Sequence, residues 1–132
     1  MKKAKLLNAA LSHLVAQLGH NDMIVIGDAG LPVPPGVPCI DLAVMRGLPR
    51  IDQVLEALES EMQVERMVLA TESLAANNGQ MPTWLPAVWR DLPTEQVSHE
   101  EFKLRNAKAR AVIRTGECTP YANVMLVAGV AF

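Results

Sequence analysis

Apolar positions along the chain alternate between helical spacing and short unbroken runs. From Leu7 to Leu18 they recur every three or four residues, which predicts an amphipathic helix with Asn8 as its N-cap. From Ile51 to Met62 they share one helical face, with glutamates off that face. Apolar runs predict buried strands at Met23–Ile26, Ile40–Val44, Met67–Ala70, Ala109–Arg114 and Asn123–Ala131. This alternation predicts an α/β fold with three layers, α/β/α, around a mainly parallel sheet.

Three stretches between these elements have their own patterns. Residues 30–38 hold four prolines and two glycines, which indicates a rigid loop. For residues 71–94 the pattern is ambiguous, and we expect a helix near Pro82–Arg90 and a turn at residues 77–79. Ser98, followed two and three residues later by glutamates, predicts the start of a short helix that carries His99.

Length and composition narrow the class of protein. A chain of 132 residues fits a single domain, residues 1–132. The net charge of −2 and the few aromatic residues (two Trp, two Phe and one Tyr) argue against nucleic-acid and membrane-surface partners, so we expect neither. No apolar run reaches the roughly 20 residues that span a bilayer. Cys39 and Cys118 have no paired spacing, which excludes a disulfide-rich secreted domain and a zinc site, and we expect a cytoplasmic protein.

Polar residues gather at the predicted ends of helices and strands, where ligands bind in α/β sheets. The polar segments are residues 19–22, 27–30 and 115–123. If His20 and Asp28 converge, they form an acid–base pair. The alternatives are structural, because a histidine that ends a helix often only neutralises its C-terminus and Asp28 fits a loop cap equally well. Tyr121 and Asn123 likewise fit ordinary turn residues.

The motifs of nucleotide binding and of nucleophilic catalysis are missing. No GxGxxG, GxxxxGK[ST] or GxSxG pattern occurs, and the three histidines lack metal-ligand spacing. Arg114 and Lys103 are too few for a phosphate pocket. A site of His, Asp, Tyr and Asn without a cationic cluster suits a neutral, hydroxyl-rich ligand such as a sugar. We therefore expect no cofactor and no metal.

Four stretches of the chain give a more specific indication. They are LLN…LGHND, IVIGDAGLPVPPGVPCIDLAV, SHEEFK and AVIRTGECTPYANVMLVAGVAF. On these stretches the chain resembles the D-ribose pyranase family, with the weakest match between Thr71 and Gln96. The resemblance implies a cytoplasmic isomerase that interconverts the β-pyranose and β-furanose forms of D-ribose in ribose uptake and catabolism. It also implies a mixed sheet and a ring-shaped homo-oligomer, commonly a decamer of two stacked rings.

The same resemblance implies roles for individual residues. His20 falls on the family's catalytic proton donor. The positions that match the family's substrate-binding residues are Asp28, His99, Tyr121, Ala122 and Asn123. Ring opening needs a proton on the ring oxygen and removal of one from the anomeric hydroxyl, which suits a histidine near neutral pH. Neither transfer needs a cofactor or a metal.

Two other functions stay open beside D-ribose pyranase: a mutarotase of another monosaccharide such as L-fucose, and a non-catalytic sugar-binding module. L-fucose mutarotases share GH-x-D, an Asp-Ala pair and TGE…Y-x-N, but their next loop usually carries a His where this chain has residues 30–32. Their Tyr is not usually preceded by Thr-Pro, as Tyr121 is here. A non-catalytic sugar-binding module would lack the proton donor, so His20 argues against it. The chain departs from the family pattern at two positions. Gly27 stands where a small residue such as alanine is common, and Cys118 stands where a larger apolar residue is usual. Neither residue has an implied catalytic or binding role.

The C-terminal run from Val124 to Phe132 is almost wholly apolar. It fits an ordinary buried core strand. It also fits a strand whose end lies at a subunit contact, where assembly helps to position Tyr121 and Asn123 for sugar.

Overall fold

A computed structural model describes residues 1–132 and places six strands in one mixed sheet. In chain order the strands are β1 (Met23–Gly27), β2 (Cys39–Asp41), β3 (Val64–Ala70), β4 (Thr94–Val97), β5 (Ala111–Arg114) and β6 (Val124–Ala128). Their order across the sheet is β2-β5-β1-β6-β3-β4. β6 pairs antiparallel with β1 and β3, and every other neighbouring pair is parallel. The predicted α/β class and mixed, mainly parallel sheet are confirmed.

Helices pack on this sheet. They are α1 (Ala9–Gln17), α2 (Ile51–Glu59), α3 (Thr71–Ala75) and α4 (His99–Arg105), with short 3-10 turns at Ala87–Trp89 and Asn106–Lys108. Oδ1 of Asn8 accepts from the N–H of Leu11 (2.9 Å), and the Ser98 hydroxyl accepts from the N–H of Glu101 (3.1 Å). Both predicted N-caps are therefore confirmed. None of the helices combines the length and the apolar character needed to cross a membrane.

The two faces of the sheet are covered unequally. A core cluster of 22 buried residues lies between one face and α1, α2 and α3. On the other face a cluster of 7 buried residues includes Phe102 of α4 and Leu31 of the proline-rich loop. Phe102 is completely buried, and burying such a side chain contributes about 2 kcal/mol or more. The structure thus has the three predicted layers, with α4 and the loop forming the thinner one.

Residues 71–97 differ from the expectation. The helix expected near Pro82–Arg90 is only the 3-10 turn Ala87–Trp89, because prolines at 82 and 86 lack an N–H and restrict the residues before them. α3 and β4 were not expected, and β4 has the polar sequence Thr-Glu-Gln-Val at the edge of the sheet. The turn at residues 77–79 is confirmed by positive φ angles at Asn78 (56°) and Gly79 (78°).

Other element boundaries shift by a few residues. Leu7 is exposed, and Leu6 takes the expected place in the core. α2 ends at Glu59 instead of Met62, where the chain turns towards β3. The second strand is shorter than predicted and ends at Asp41.

The strand directions define two edges of the sheet. β1 to β5 all end, and β6 begins, at one edge, which we call the carboxyl edge. At the opposite edge, the amino edge, lie the turn of residues 18–22 and the end of β6. β6 is completely buried, which confirms a core strand for most of the apolar C-terminal run. Beyond it, Val130 and Phe132 are exposed at the amino edge.

Candidate active site

Asp28 and Asn123 form a closed pair at the carboxyl edge. The Asp28 backbone N–H donates to Oδ1 of Asn123 (2.8 Å), and Nδ2 of Asn123 donates to Oδ2 of Asp28 (3.0 Å). Asn123 is completely buried just before β6, whereas Asp28, just after β1, is partly exposed. Oδ1 of Asp28 also accepts from the N–H of Gly30 (2.9 Å). The carboxylate is therefore held in one orientation, with lone pairs left for the hydroxyl groups of a ligand.

Tyr121 adopts an unusual backbone conformation beside this pair. Its φ is 61°, in the left-handed region that residues other than glycine rarely enter. Its carbonyl oxygen accepts from the hydroxyl of Ser73 in α3 and from the N–H of Asn123 (2.8 Å). The Tyr121 side chain is partly exposed. Ala122 is completely buried, backbone included.

The His99 ring lies between two aromatic rings. Its centroid is 5.1 Å from that of Tyr121 in an edge-on arrangement, and 6.3 Å from that of Phe102 in a stacked one. The backbone N–H of His99 donates to Oε2 of Glu72 in α3 (2.9 Å). Nδ1 of His99 is buried without a hydrogen-bond partner, which costs about 1–3 kcal/mol unless a ligand supplies one. The ring is thus fixed in place with one polar position unused.

A cleft of about 390 Å³ opens next to Asp28. It is lined by Asp28, Ala29, Gly30, Arg46, Glu117, Cys118, Thr119 and Pro120. Its volume is in the range typical of small-molecule sites. Arg46 is the only cation in the wall. The cleft therefore presents mainly acidic and neutral hydrogen-bonding groups.

The basic side chains singled out from the sequence are both paired with carboxylates. Arg114, at the end of β5, lies 2.6 Å from Asp41, and this hydrogen bond lowers the pKa of Asp41 below its usual value. Lys103 of α4 pairs with Glu100 (2.6 Å). No group of three or more His, Cys, Asp or Glu side chains is arranged to hold a metal ion. Neither basic side chain is thus free to bind a phosphate.

His20 lies at the amino edge. Its Nε2 is 2.8 Å from Oε2 of Glu65, in β3, and the two side chains are 50% and 44% exposed. The turn that carries His20 is fixed to the end of β6, because the N–H of Asn21 donates to the carbonyl of Ala128 (2.9 Å). The ring is therefore oriented by one carboxylate and open to solvent on its other side.

The length of β1 separates His20 from the other predicted residues. Its five residues, at about 3.3 Å each, span about 16 Å. His20 and Asp28 therefore do not converge within one chain, and no acid–base pair forms between them there. Asp28, His99, Tyr121 and Asn123 do come together at the carboxyl edge. One chain thus holds a binding arrangement and a distant histidine.

Comparison with known proteins places the chain in a family. The model of the family described as "RbsD / FucU transport protein family" matches residues 1–131. The chain belongs to this family. A D-ribose pyranase of Paracidovorax citrulli is 58% identical over 132 residues, which cover all of both chains.

Two solved structures separate the branches of the RbsD/FucU family. Bacillus subtilis RbsD complexed with D-ribose matches with a TM-score of 0.91 and 49% identity, over all of both chains. The fucose mutarotase of Streptococcus pneumoniae, in complex with L-fucose, matches with a TM-score of 0.72 and 21% identity, also over all of both chains. The second likeness establishes the fold alone. The resemblance to D-ribose pyranases inferred from the sequence is confirmed.

The structure gives a reason for one departure from the family pattern. A Cβ added at Gly27 would lie 2.5 Å from Cδ2 of Leu31 and 3.1 Å from Oδ1 of Asn123. Glycine therefore leaves room first for the Leu31 side chain and then for the amide oxygen of Asn123, which pairs with Asp28.

Sequence reasoning missed several side chains that shape the two edges. Ser73 lies in the stretch of weakest family resemblance, and Arg46 lies in a turn with no motif. Glu65 lies near the start of β3, at an irregularity of the pairing with β6 between Val64 and Arg66, and its carboxylate reaches His20. Only the tertiary structure reveals these neighbours.

Proposed function

We propose that this protein is a D-ribose pyranase, an isomerase that interconverts the β-pyranose and β-furanose forms of D-ribose. The observation that carries this proposal is the joint fixing of Asp28, His99, Tyr121 and Asn123 at the carboxyl edge. This arrangement occurs in a chain that is 49% identical over its full length to an RbsD complexed with D-ribose. Polar side chains with fixed orientations suit the recognition of several sugar hydroxyls.

The reaction needs proton transfers and no electron transfer. Opening of either ring places a proton on the ring oxygen and removes one from the anomeric hydroxyl, giving the open-chain aldehyde. Closure reverses these transfers with a different hydroxyl as the attacking group. His20 acts as the proton donor, because imidazole exchanges a proton near neutral pH. Asp28 accepts hydrogen bonds from sugar hydroxyls. His99, Tyr121, Ala122 and Asn123 complete the binding site.

This assignment requires a second copy of the chain. His20 reaches a bound sugar only if the amino edge of one copy meets the carboxyl edge of another, since β1 holds them about 16 Å apart within one chain. Such a head-to-tail contact uses two different surfaces and closes into a ring when repeated by rotation. We therefore propose a homo-oligomer built on this contact. The family resemblance adds that it is a cytoplasmic decamer of two stacked rings.

Exposed apolar side chains occur at both edges and suit this contact. At the amino edge they are Val130 and Phe132, and at the carboxyl edge Val44, Met45 and Leu48. Covering such side chains with a second copy removes apolar surface from water. The C-terminal end then lies against the binding site of the neighbouring subunit, where it helps to hold Tyr121 and Asn123.

The first experiment is exchange NMR on D-ribose with and without the protein. We expect the protein to accelerate exchange between pyranose and furanose forms, and to act much less on L-fucose. Faster exchange of L-fucose than of D-ribose would favour a fucose mutarotase. Sugar binding without accelerated exchange would favour a non-catalytic module.

A mixing experiment tests the shared site. At D-ribose concentrations well below KM, we expect His20→Ala alone to be inactive and Asp28→Asn alone to be weak. In oligomers reassembled from an equal mixture, about a quarter of the contacts combine an intact amino edge with an intact carboxyl edge. We expect about a quarter of the normal exchange activity to return. If both residues acted within one chain, mixing would restore nothing.

A further inference from the structure

The Glu117 carboxylate ties the loop before Tyr121 to the start of α2. Its Oε1 accepts from the backbone N–H groups of Cys118 and Thr119 (3.1 Å each) and from the Thr119 hydroxyl (2.9 Å). Its Oε2 accepts from the N–H of Ile51 (3.2 Å), the first residue of α2. A carboxylate has about four acceptor positions. Three of the protein's own donors thus crowd Oε1 and a fourth takes Oε2, so most of the acceptor capacity of Glu117 is used within the chain, although the residue lines the cleft.

The backbone of Glu117 holds the other half of the binding site. Its carbonyl oxygen accepts from the N–H of Ala29 (2.8 Å), the residue after Asp28. Its N–H donates to Oγ1 of Thr115 (3.1 Å), whose hydroxyl donates to the carbonyl of Gly27 (2.8 Å), the residue before Asp28. Ala29 is thus hydrogen-bonded to Glu117 directly, and Gly27 is hydrogen-bonded to it through Thr115. The side chain of the same Glu117 holds the loop that leads to Tyr121.

We infer that Glu117 is a positioning residue, which sets the spacing between Asp28 and the segment Tyr121 to Asn123 and thereby the affinity for D-ribose. This inference rests on the proposed function. Glu117 acts through its neighbours, so its loss weakens the binding of ground state and transition state alike. Proton transfer by His20, from another subunit's amino edge, is left largely intact.

The test is the variant Glu117→Gln, assayed by exchange NMR over a range of D-ribose concentrations. Glutamine keeps the shape, but its amide NH₂ faces N–H donors and one or more of the four hydrogen bonds is lost. We expect KM for D-ribose to rise about tenfold, the effect of losing hydrogen bonds to a charged group, with kcat changed by less than about threefold. The matched control is Glu61→Gln, an exposed glutamate whose side chain makes no hydrogen bond, and its KM stays unchanged.

A second variant separates positioning from a general loss of structure. Thr119→Val removes one donor to Glu117 and leaves the core untouched. We expect a smaller rise in KM than for Glu117→Gln. In the double variant we expect the two effects to be less than additive, because both changes loosen the same loop segment. If Glu117→Gln does not fold, an unchanged KM in Thr119→Val refutes the inference by itself.

The outcomes distinguish this inference from the proposed function. An unaltered protein that does not accelerate D-ribose exchange refutes the proposed function, and with it the role assigned to Glu117. An active protein whose Glu117→Gln variant keeps its KM refutes only the positioning role. A fall in kcat at constant KM refutes it too, because it would place Glu117 in the chemistry. Additive effects of the two substitutions would likewise overturn it.

Discussion

The two edges of the sheet are built very differently. At the carboxyl edge, Asp28, Asn123 and Tyr121 each take part in hydrogen bonds that fix their position, and Asn123 is completely buried. At the amino edge, His20 is half exposed and touches one carboxylate, that of Glu65. One edge is thus organised for recognition before any ligand arrives. The other presents an imidazole outwards, so a single chain keeps the two candidate parts of the site at opposite edges of the sheet.

The variant His20→Ala is the strongest test of this difference between the two edges. We expect the exchange rate at saturating D-ribose to fall at least about 100-fold, the usual contribution of a general acid or base, with D-ribose affinity nearly unchanged. Because the His20 side chain is half exposed, the fold and the oligomer persist. The control is His13→Ala, on the exposed side of α1. Near-normal exchange in His20→Ala would move the donor role elsewhere, with His99 the next candidate.

Deletion of Ala131 and Phe132 tests whether the two edges meet. These residues are exposed in the single chain, so their loss leaves the fold of each subunit intact, as circular dichroism can verify. We expect light scattering to report smaller species and the exchange activity to be largely lost. An oligomer of unchanged mass and full activity would show that the C-terminal end takes no part in the contact.

The variant Asp28→Asn tests whether the carboxyl edge binds D-ribose. An amide has one oxygen acceptor in place of the carboxylate's two, and its NH₂ group competes with Nδ2 of Asn123. We expect D-ribose to bind about tenfold more weakly, measured by titration, with the assembly intact. If Asp28→Asn and the unaltered protein bind D-ribose with the same affinity in this titration, the role of Asp28 in binding is rejected.

The smallest expected effect concerns acid stability at the carboxyl edge. Burial raises the pKa of Glu117, but hydrogen bonds from Thr119, Ile51 and Cys118 outweigh it, so the pKa lies below its usual value of 4.5. The native pKa is lower than the unfolded one, so this stabilisation is complete above about pH 4.5. It is lost as the pH falls through the native pKa.

Urea unfolding at a series of pH values measures this effect. The free energy of unfolding of the unaltered protein exceeds that of Glu117→Gln most at pH 6, and the gap narrows as the pH falls below 4.5. Glu61→Gln serves as the control with no such gap. A gap that stays constant down to pH 3 would show that the carboxylate's charge does not contribute.

The sequence predicted the elements with strong apolar periodicity and missed those without it. α1, α2 and the buried strands each carry an apolar pattern that packing enforces. β4 is polar because it lies at the edge of the sheet, and α3 has only five residues, so neither has a pattern to detect. The antiparallel direction of β6 is set by its two partners, β1 and β3, and no property of its own sequence reports it.

For the candidate site, the sequence predicted that polar clusters lie at the ends of helices and strands. It did not predict which of these clusters lie close together in the folded chain. The positive φ of Tyr121 and its contact with Ser73 depend on packing between distant parts of the chain. The separation of His20 from Asp28, in contrast, follows from the sequence once the strand between them is accepted. A five-residue strand has a fixed length, so the two side chains cannot share a site within one chain.

β6 also constrains how this chain can vary. It connects Asn123, which pairs with Asp28, to Ala128, whose carbonyl anchors the turn that carries His20. A single inserted or deleted residue between them would turn every following side chain to the opposite face of the sheet. It would also break the register with β1 and β3 at once, because β6 pairs with both. Homologous chains that conserve both edges are therefore expected to keep this segment at constant length, and to place their insertions and deletions elsewhere.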